Sequence, residues 1–256
     1  MTKQFSGPRA KVRASLRHRK AFEDEMRAYV ERNSAAFTLL DSPVRRERTL
    51  LLELEPLPED IQVIVGEIIQ QLRSALDLLA CDLARFSGAQ NLKRVYFPIA
   101  QTEEGFWDKR AQDKIRRLSP ELQDMVRDLK PFGNSALNAL NEFANIDKHQ
   151  ALLTAFVSAG DVIVEGRYSG DPRERIAFHV DRPLLLGRQN EIMRVPFSTP
   201  VDGMRMQMQL KVKFAVEPAV GKDVADVLGV IGRSVETTIK YFEDYCFRGV
   251  RHRVGY

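Results

Sequence analysis

Asn141, Glu142, Asn145, Asp147, Lys148 and His149 crowd into one stretch, "LNALNEFANIDKHQALL", residues 137–153. Their chemistry is complementary. Amides carry donors and acceptors together, the carboxylates accept, the lysine donates, and the histidine does either. Histidine is also the side chain whose ordinary pKa suits general acid/base work near neutral pH. A second pair stands in "LRSALDLLA". Arg73 and Asp77 are four residues apart, so on a helix they share a face and can pair. Both sit in an apolar segment, and a buried charge is costly unless it is paired and hydrogen-bonded. The pair therefore either reaches the surface or joins an internal polar network.

Two readings of these residues compete. In the functional one the helices face each other and build a shared site. His149 is the general acid/base, tuned by Asp77 or Glu142. Lys148 and Arg73 neutralise a phosphate, and Asn141, Glu142, Asn145 and Asp147 line the pocket. In the structural one, Asn145, Asp147 and His149 terminate their helix and tie it to the sheet and to the Arg73–Asp77 pair. A histidine near a helix C-terminus is favoured by the dipole when protonated, which calls for no catalysis.

Other chemistries lack their motifs. Neither GxGxxG nor GxxxxGK[ST] occurs, so no glycine-rich phosphate loop is expected. GxSxG is absent, which removes the α/β-hydrolase elbow. His18, His149, His179 and His252 are scattered, with no HExxH and no CxxC. No metal and no cofactor is expected. Cys81 and Cys246 each lie in an apolar helical pattern and read as buried free thiols.

Charge is unevenly distributed. Residues 1–20 contain seven Lys or Arg and no acid, and residues 248–256 contain three Arg and His252 with no acid. All 35 acids lie between, against 29 basic residues. Basic termini attract phosphate backbones through counterion release, so RNA or a nucleotide is the partner they suggest. No apolar run approaches the ~20 residues of a membrane span. The N-terminus also lacks the apolar core of a signal peptide. A cytoplasmic protein with no membrane partner is expected; a homodimer is left open.

The elements that must position these residues read as α+β. The whole chain, 1–256, is expected as one domain. Residues 15–57 are its N-terminal helix and β-hairpin, 58–152 a helical module, 153–217 an antiparallel β region and 221–247 a C-terminal helix. Leu16, Phe22, Met26, Tyr29 and Val30 give 15–33 an apolar side, and an Asp-Ser-Pro turn at 41–43 joins two strands. Apolar residues from Ile61 to Leu83 recur at three and four, which predicts a central helix over 60–86. A short helix fits 102–110. Ser119 caps the next helix with Pro120 at its first position, and Asn134 or Ser135 caps the helix of the opening stretch. After residue 152 the grammar changes to strands. "MRMQMQLKVKF" alternates apolar and polar over eleven residues, which predicts a half-buried strand. The early hairpin is expected to join this later sheet. A 4-3-4-4-3-4 apolar seam from Val224 to Cys246 predicts the last helix over 222–247. Runs of helices followed by runs of strands argue for α+β.

A resemblance adds to this. "LRSALDLLACDLA", "FPIA", "LKPF" and "LNEFANIDKHQALL" resemble the pattern of a group of uncharacterised bacterial and phage proteins. That pattern is an Arg-Ser-Ala-Leu-Asp helix, Phe-Pro-Ile, a Gln-Pro-Tyr-like break and Asn-x-Asp-Lys-His-Arg. It falls on Arg73, Asp77, Asn145, Asp147, Lys148 and His149, over about residues 58–153, with Gln150 in place of Arg and "LKPF" in place of the usual break. More distantly the segment is similar to HEPN domains, helical modules found in RNA-cleaving toxins and phage-defence proteins. The resemblance implies a HEPN-like bundle packed with an antiparallel sheet and a long C-terminal helix. It further implies RNA or nucleotide binding and a weak nuclease at Arg73, Asp77, Lys148 and His149. The HEPN nuclease motif has four to six residues between its Arg and its His. Here Glu142, Phe143 and Ala144 occupy those places before His149, while Arg13–His18 and Arg173–His179 match the spacing elsewhere.

Overall fold

The three-and-four spacing that begins at Ile61 does bury a face: Ile61, Ile69, Leu72, Leu76, Leu79 and Leu83 are all removed from solvent. The computed structural model describes residues 5–33, 37–149, 155–165, 175–179, 184–196 and 205–248. Its elements run α1 (Ser6–Arg32), β1 (Phe37–Ser42), β2 (Glu47–Glu53), α2 (Glu59–Phe86), α3 (Glu103–Trp107), α4 (Lys109–Gln112), α5 (Pro120–Asp128) and α6 (Ser135–His149). They continue with β3 (Ala155–Glu165), β4 (Arg175–His179), β5 (Gln189–Pro196), β6 (Arg205–Phe214) and α7 (Val224–Arg248). Helices and antiparallel sheets together make the class α+β.

The chain divides into two compact units. One takes Met1–Ala21, Val63–Leu153 and Ala225–Tyr256, and the other takes Phe22–Gln62 and Thr154–Val224. The division falls within α1 and α2. In the first unit the helix ends follow local rules. Ser119 accepts from the Leu122 amide at 3.4 Å, with Pro120 just inside α5. Asn134 Oδ1 accepts from the Ala136 and Leu137 amides at 3.0 and 3.1 Å and so caps α6. The short helix expected over 102–110 is two, because Asp108 both ends α3 and caps α4 through the Arg110 amide.

The N-terminal reading needs correction. α1 begins at Ser6, well before residue 15, so most of the acid-free basic run is helix rather than a solvated tail. Apolar residues between the charges make it so: Phe5 and Val12 are buried. The Phe5 amide donates to Asp82 Oδ2 at 3.1 Å, and Arg9 forks onto Glu243 of α7. Residues 1–4 and 249–256, the remainder of the two basic termini, lie outside the described residues.

In the second unit the strands form two antiparallel sheets of three, in the orders β1-β2-β5 and β4-β3-β6. Among the described residues, the early hairpin pairs with the later strands through β5. A single sheet is not what forms, because β2 spends its second edge on β5 while β3 pairs with β4 and β6. Leu50, Leu52 and Leu54 point inward as their alternation predicts, and pack with Tyr29, Val157 and Leu184. In β6 the alternation holds where side chains are described: Val212 and Phe214 are buried and Lys211 is exposed.

Candidate anion site in the helical unit

Residues 87–102 contain no regular element between α2 and α3, yet Val95, Phe97 and Ile99 are buried. Backbone N–H and C=O groups buried in such a segment must find partners outside a ladder. α2 supplies them. Arg73 Nη2 donates to the Phe97 carbonyl at 3.0 Å, and the Phe97 amide donates to Asp77 Oδ1 at 3.1 Å. The same Asp77 oxygen accepts from Arg73 Nη2 at 3.0 Å. The ion pair and both polar groups of one residue thus close a ring, which fixes the "YFPIA" strand-like segment onto α2.

The pair is substantially buried, with side chains 10% and 26% exposed for Arg73 and Asp77. Burial pushes the Asp77 carboxyl above its ordinary range, against the downward pull of Arg73, the Phe97 amide, Lys148 and Lys114. Burial likewise lowers Arg73 against the pull of Asp77. Lys114 is lowered by its own burial first and by Arg73 second. Desolvation therefore outweighs pairing throughout the cluster. Three cations act electrostatically on one carboxylate, and that carboxylate is already committed to two donors. Arg73 Nη1, moreover, is buried without a hydrogen-bond partner. Such an arrangement can take an anion. The two donors on its Oδ1 hold the Asp77 carboxylate in place.

The residues of α6 distribute differently from the single shared site expected of them. Lys148 is exposed and lies within electrostatic reach of Asp77, so Arg73, Asp77 and Lys148 are brought together. Asp147 works elsewhere: Gln70 Nε2 donates to its Oδ2 at 2.8 Å and to the Ala144 carbonyl at 3.1 Å. The Asp147 carboxylate occupies the space that a Cβ at residue 66 would take, so glycine there leaves room for that side chain between α6 and α2. Glu142 accepts from Gln101 Nε2 near the surface. Asn141 is half-buried and Asn145 exposed. For His149 the structure describes the backbone at the end of α6, and its side chain lies outside what is described, as does that of His179.

Lys114, Gln70 and the Phe97 backbone are members of this neighbourhood that sequence reasoning missed. Gly66 offered a signal, since a glycine inside a strong helical pattern costs about 1 kcal/mol against alanine and calls for a packing reason. Lys114 offered none, because it lies in turns after α4 with no periodicity to aim it. Among the described residues no group of three or more His, Cys, Asp or Glu gathers as metal ligands, and no helix is long and apolar enough to cross a membrane. No family model, no curated protein and no solved structure matches the chain.

Proposed function

We propose that the helical unit is a HEPN-like binding module that holds a phosphate of a nucleotide or of RNA beside Arg73, Lys114 and Lys148. The observation that carries this reading is the buried, unpartnered Nη1 of Arg73 among an excess of positive charge. An unsatisfied buried donor costs roughly 1–3 kcal/mol, and a phosphate oxygen admitted by a small shift of the side chains above Arg73 would recover it with a charge-assisted bond. Asp77 serves here as a positioning residue. It orients the guanidinium rather than moving protons, so the reading is one of binding without cleavage.

Calorimetric titration with inorganic phosphate, a nucleoside diphosphate and a short single-stranded RNA tests it. Lys114→Ala and Lys148→Ala should each weaken binding about tenfold, the loss of roughly 1.4 kcal/mol from one charged contact, with the melting point unchanged. Affinity for RNA should fall linearly on a log–log plot against salt. Variants that bind as the parent does, or no binding by any of the three probes, would sink the proposal.

A second reading has its own observation. The ring through Phe97 gives Arg73 and Asp77 a complete structural task, so the cluster can be a fold-holding network in a non-enzymatic interaction domain. It is distinguished by a chain that loses stability when Asp77 is removed and has no phosphate affinity to lose.

A further inference from the structure

Arginines of this chain repeatedly carry an acid three residues earlier. Arg27, Arg85, Arg116, Arg127 and Arg194 each meet one at 2.6–3.8 Å. The outer face of α1 departs from that habit. Arg13, Arg17 and Lys20 are exposed, and the residues three places before them are Ala10, Ala14 and Arg17. Glu243 takes Arg9 and Glu67 accepts from His18 elsewhere on the helix, but no acid pairs with Arg13, Arg17 or Lys20 among the described residues. At spacings of four and three the three cations share one stripe, and like charges so placed destabilise a helix. α7 adds to the charge. Arg233 is exposed, and its Nη1 and that of Arg19 both lie 3.4 Å from the point where a Cβ on Gly229 would stand, so two guanidinium groups meet over one turn of α7.

We propose that Arg13, Arg17 and Lys20 form a track for the phosphodiester backbone of RNA, with Arg233 at its flank. The row rises about 10 Å from Arg13 to Lys20, so its cations meet successive phosphates rather than one. Each contact releases counterions, and each arginine can fork onto phosphate oxygens. Such contacts fix the strand's position and read no base. The apolar residues of the helix argue against a lipid surface as the anionic partner. Phe5, Val12 and Phe22 are buried in the chain's own core, which leaves Leu16, 52% exposed, as the large apolar side chain on the outer face. A helix lying in a membrane surface needs a whole apolar face to bury there. The choice of RNA rests on the nucleotide-or-RNA reading of the Arg73 site; the unpaired row of cations stands without it.

Fluorescence anisotropy of a labelled single-stranded RNA of about 20 nucleotides, with the full chain in about 50 to about 200 mM salt, tests this. Arg13→Ala, Arg17→Ala and Lys20→Ala in one chain should weaken binding at least about tenfold. The log–log salt dependence should flatten by about two, roughly 0.7 for each lost contact, and each single change should flatten it by that share. Alanine suits a helix and like-charge neighbours are removed, so the melting point should not fall. Arg27→Ala, Arg116→Ala and Arg194→Ala together remove the same charge from arginines that have acids. That chain should bind RNA within about twofold of the parent, because screened charges away from the strand contribute little. Inorganic phosphate should bind the row variant as it binds the parent, so a failed Arg73 site and a failed row are read separately. A parent that does not bind RNA overturns the proposal, as does a row variant that binds it as the parent does. So does a paired-arginine variant weakened as much as the row variant, or a parent that prefers phosphatidylserine vesicles or duplex DNA to RNA.

Discussion

Each unit of this chain holds an irregular segment with a buried polar side chain, and the two solutions differ in charge. In the β-containing unit Asn190, 6% exposed, serves residues 184–188 and β2. Its Nδ2 donates to the carbonyls of Leu185, Arg188 and Leu52 at 2.9, 3.0 and 3.2 Å, and its Oδ1 accepts from the Leu185 amide at 2.9 Å. Asn33 repeats the device, donating to the Tyr29 carbonyl and accepting from the Glu55 amide. These amides are neutral and satisfied. In the helical unit the same job, gripping both backbone groups of one residue, falls to an ion pair whose burial is costly and which leaves a donor unused. An amide closes its network locally; the arginine does not. A charged anchor where a neutral one is mechanically sufficient is the physical reason to look for a ligand at Arg73 and not at Asn190.

The largest effects should come from removing each anchor. Asn190→Ala strands the amide of Leu185 and the carbonyls of Leu185, Arg188 and Leu52, at about 1–3 kcal/mol for a stranded group, so a total of at least about 4 kcal/mol is expected. Differential scanning calorimetry should show the melting point fall by about 8–16 °C, with phosphate affinity unchanged. A drop below about 3 °C would mean that water replaces the amide, and the contrast between the anchors would lose its basis. Asp77→Ala should cost about 3 kcal/mol, because it leaves the Arg73 charge buried and alone. Here the charged anchor makes a prediction that the neutral one does not. Arg73→Met combined with Asp77→Ala should cost less than the two single changes added, by about 1–3 kcal/mol of coupling measured in urea titrations. Strict additivity would show that the two residues do not act as a unit.

How much of this was legible follows from the range of each interaction. Helix periods and caps are local, so α2, α5, α6 and α7 stand close to where their residues put them, and Ser119 and Asn134 cap as their types suggest. The i,i+4 spacing of Arg73 and Asp77 sufficed to pair them. What they grip did not follow, because Phe97 is twenty residues beyond Asp77 in a segment without periodicity. Two sheets replaced one for the same reason. Strand patterning tells which face is buried and is silent on which strand sits beside which. Asp147 looked like a site residue by type, yet its carboxylate lies against Gly66, a contact that only the approach of two helices creates. α1 starts earlier than the charge of its first residues suggests, because Phe5 and Val12 are buried among them.

Alkaline pH provides the smallest of the tests and the one that separates neutral anchors from charged ones. Tyr29 is fully buried, and its hydroxyl donates to the Glu55 carbonyl at 2.7 Å beside the Asn33 contact. Burial, with a smaller contribution from Glu55, pushes its phenol from 10.0 up to about 12. Above pH 10 the unfolded chain releases this proton while the folded chain keeps it. The stabilisation is therefore whole below pH 10 and is lost as pH rises toward about 12. Tyr29→Phe should cost only about 1 kcal/mol at neutral pH, the value of one hydrogen bond. Its more telling effect is on slope: urea stability of the parent should fall more steeply between pH 10 and about 12 than that of the variant. Lysines and the remaining tyrosines titrate equally in both chains and cancel in the difference. Coincident slopes would show that Tyr29 loses its proton as readily folded as unfolded.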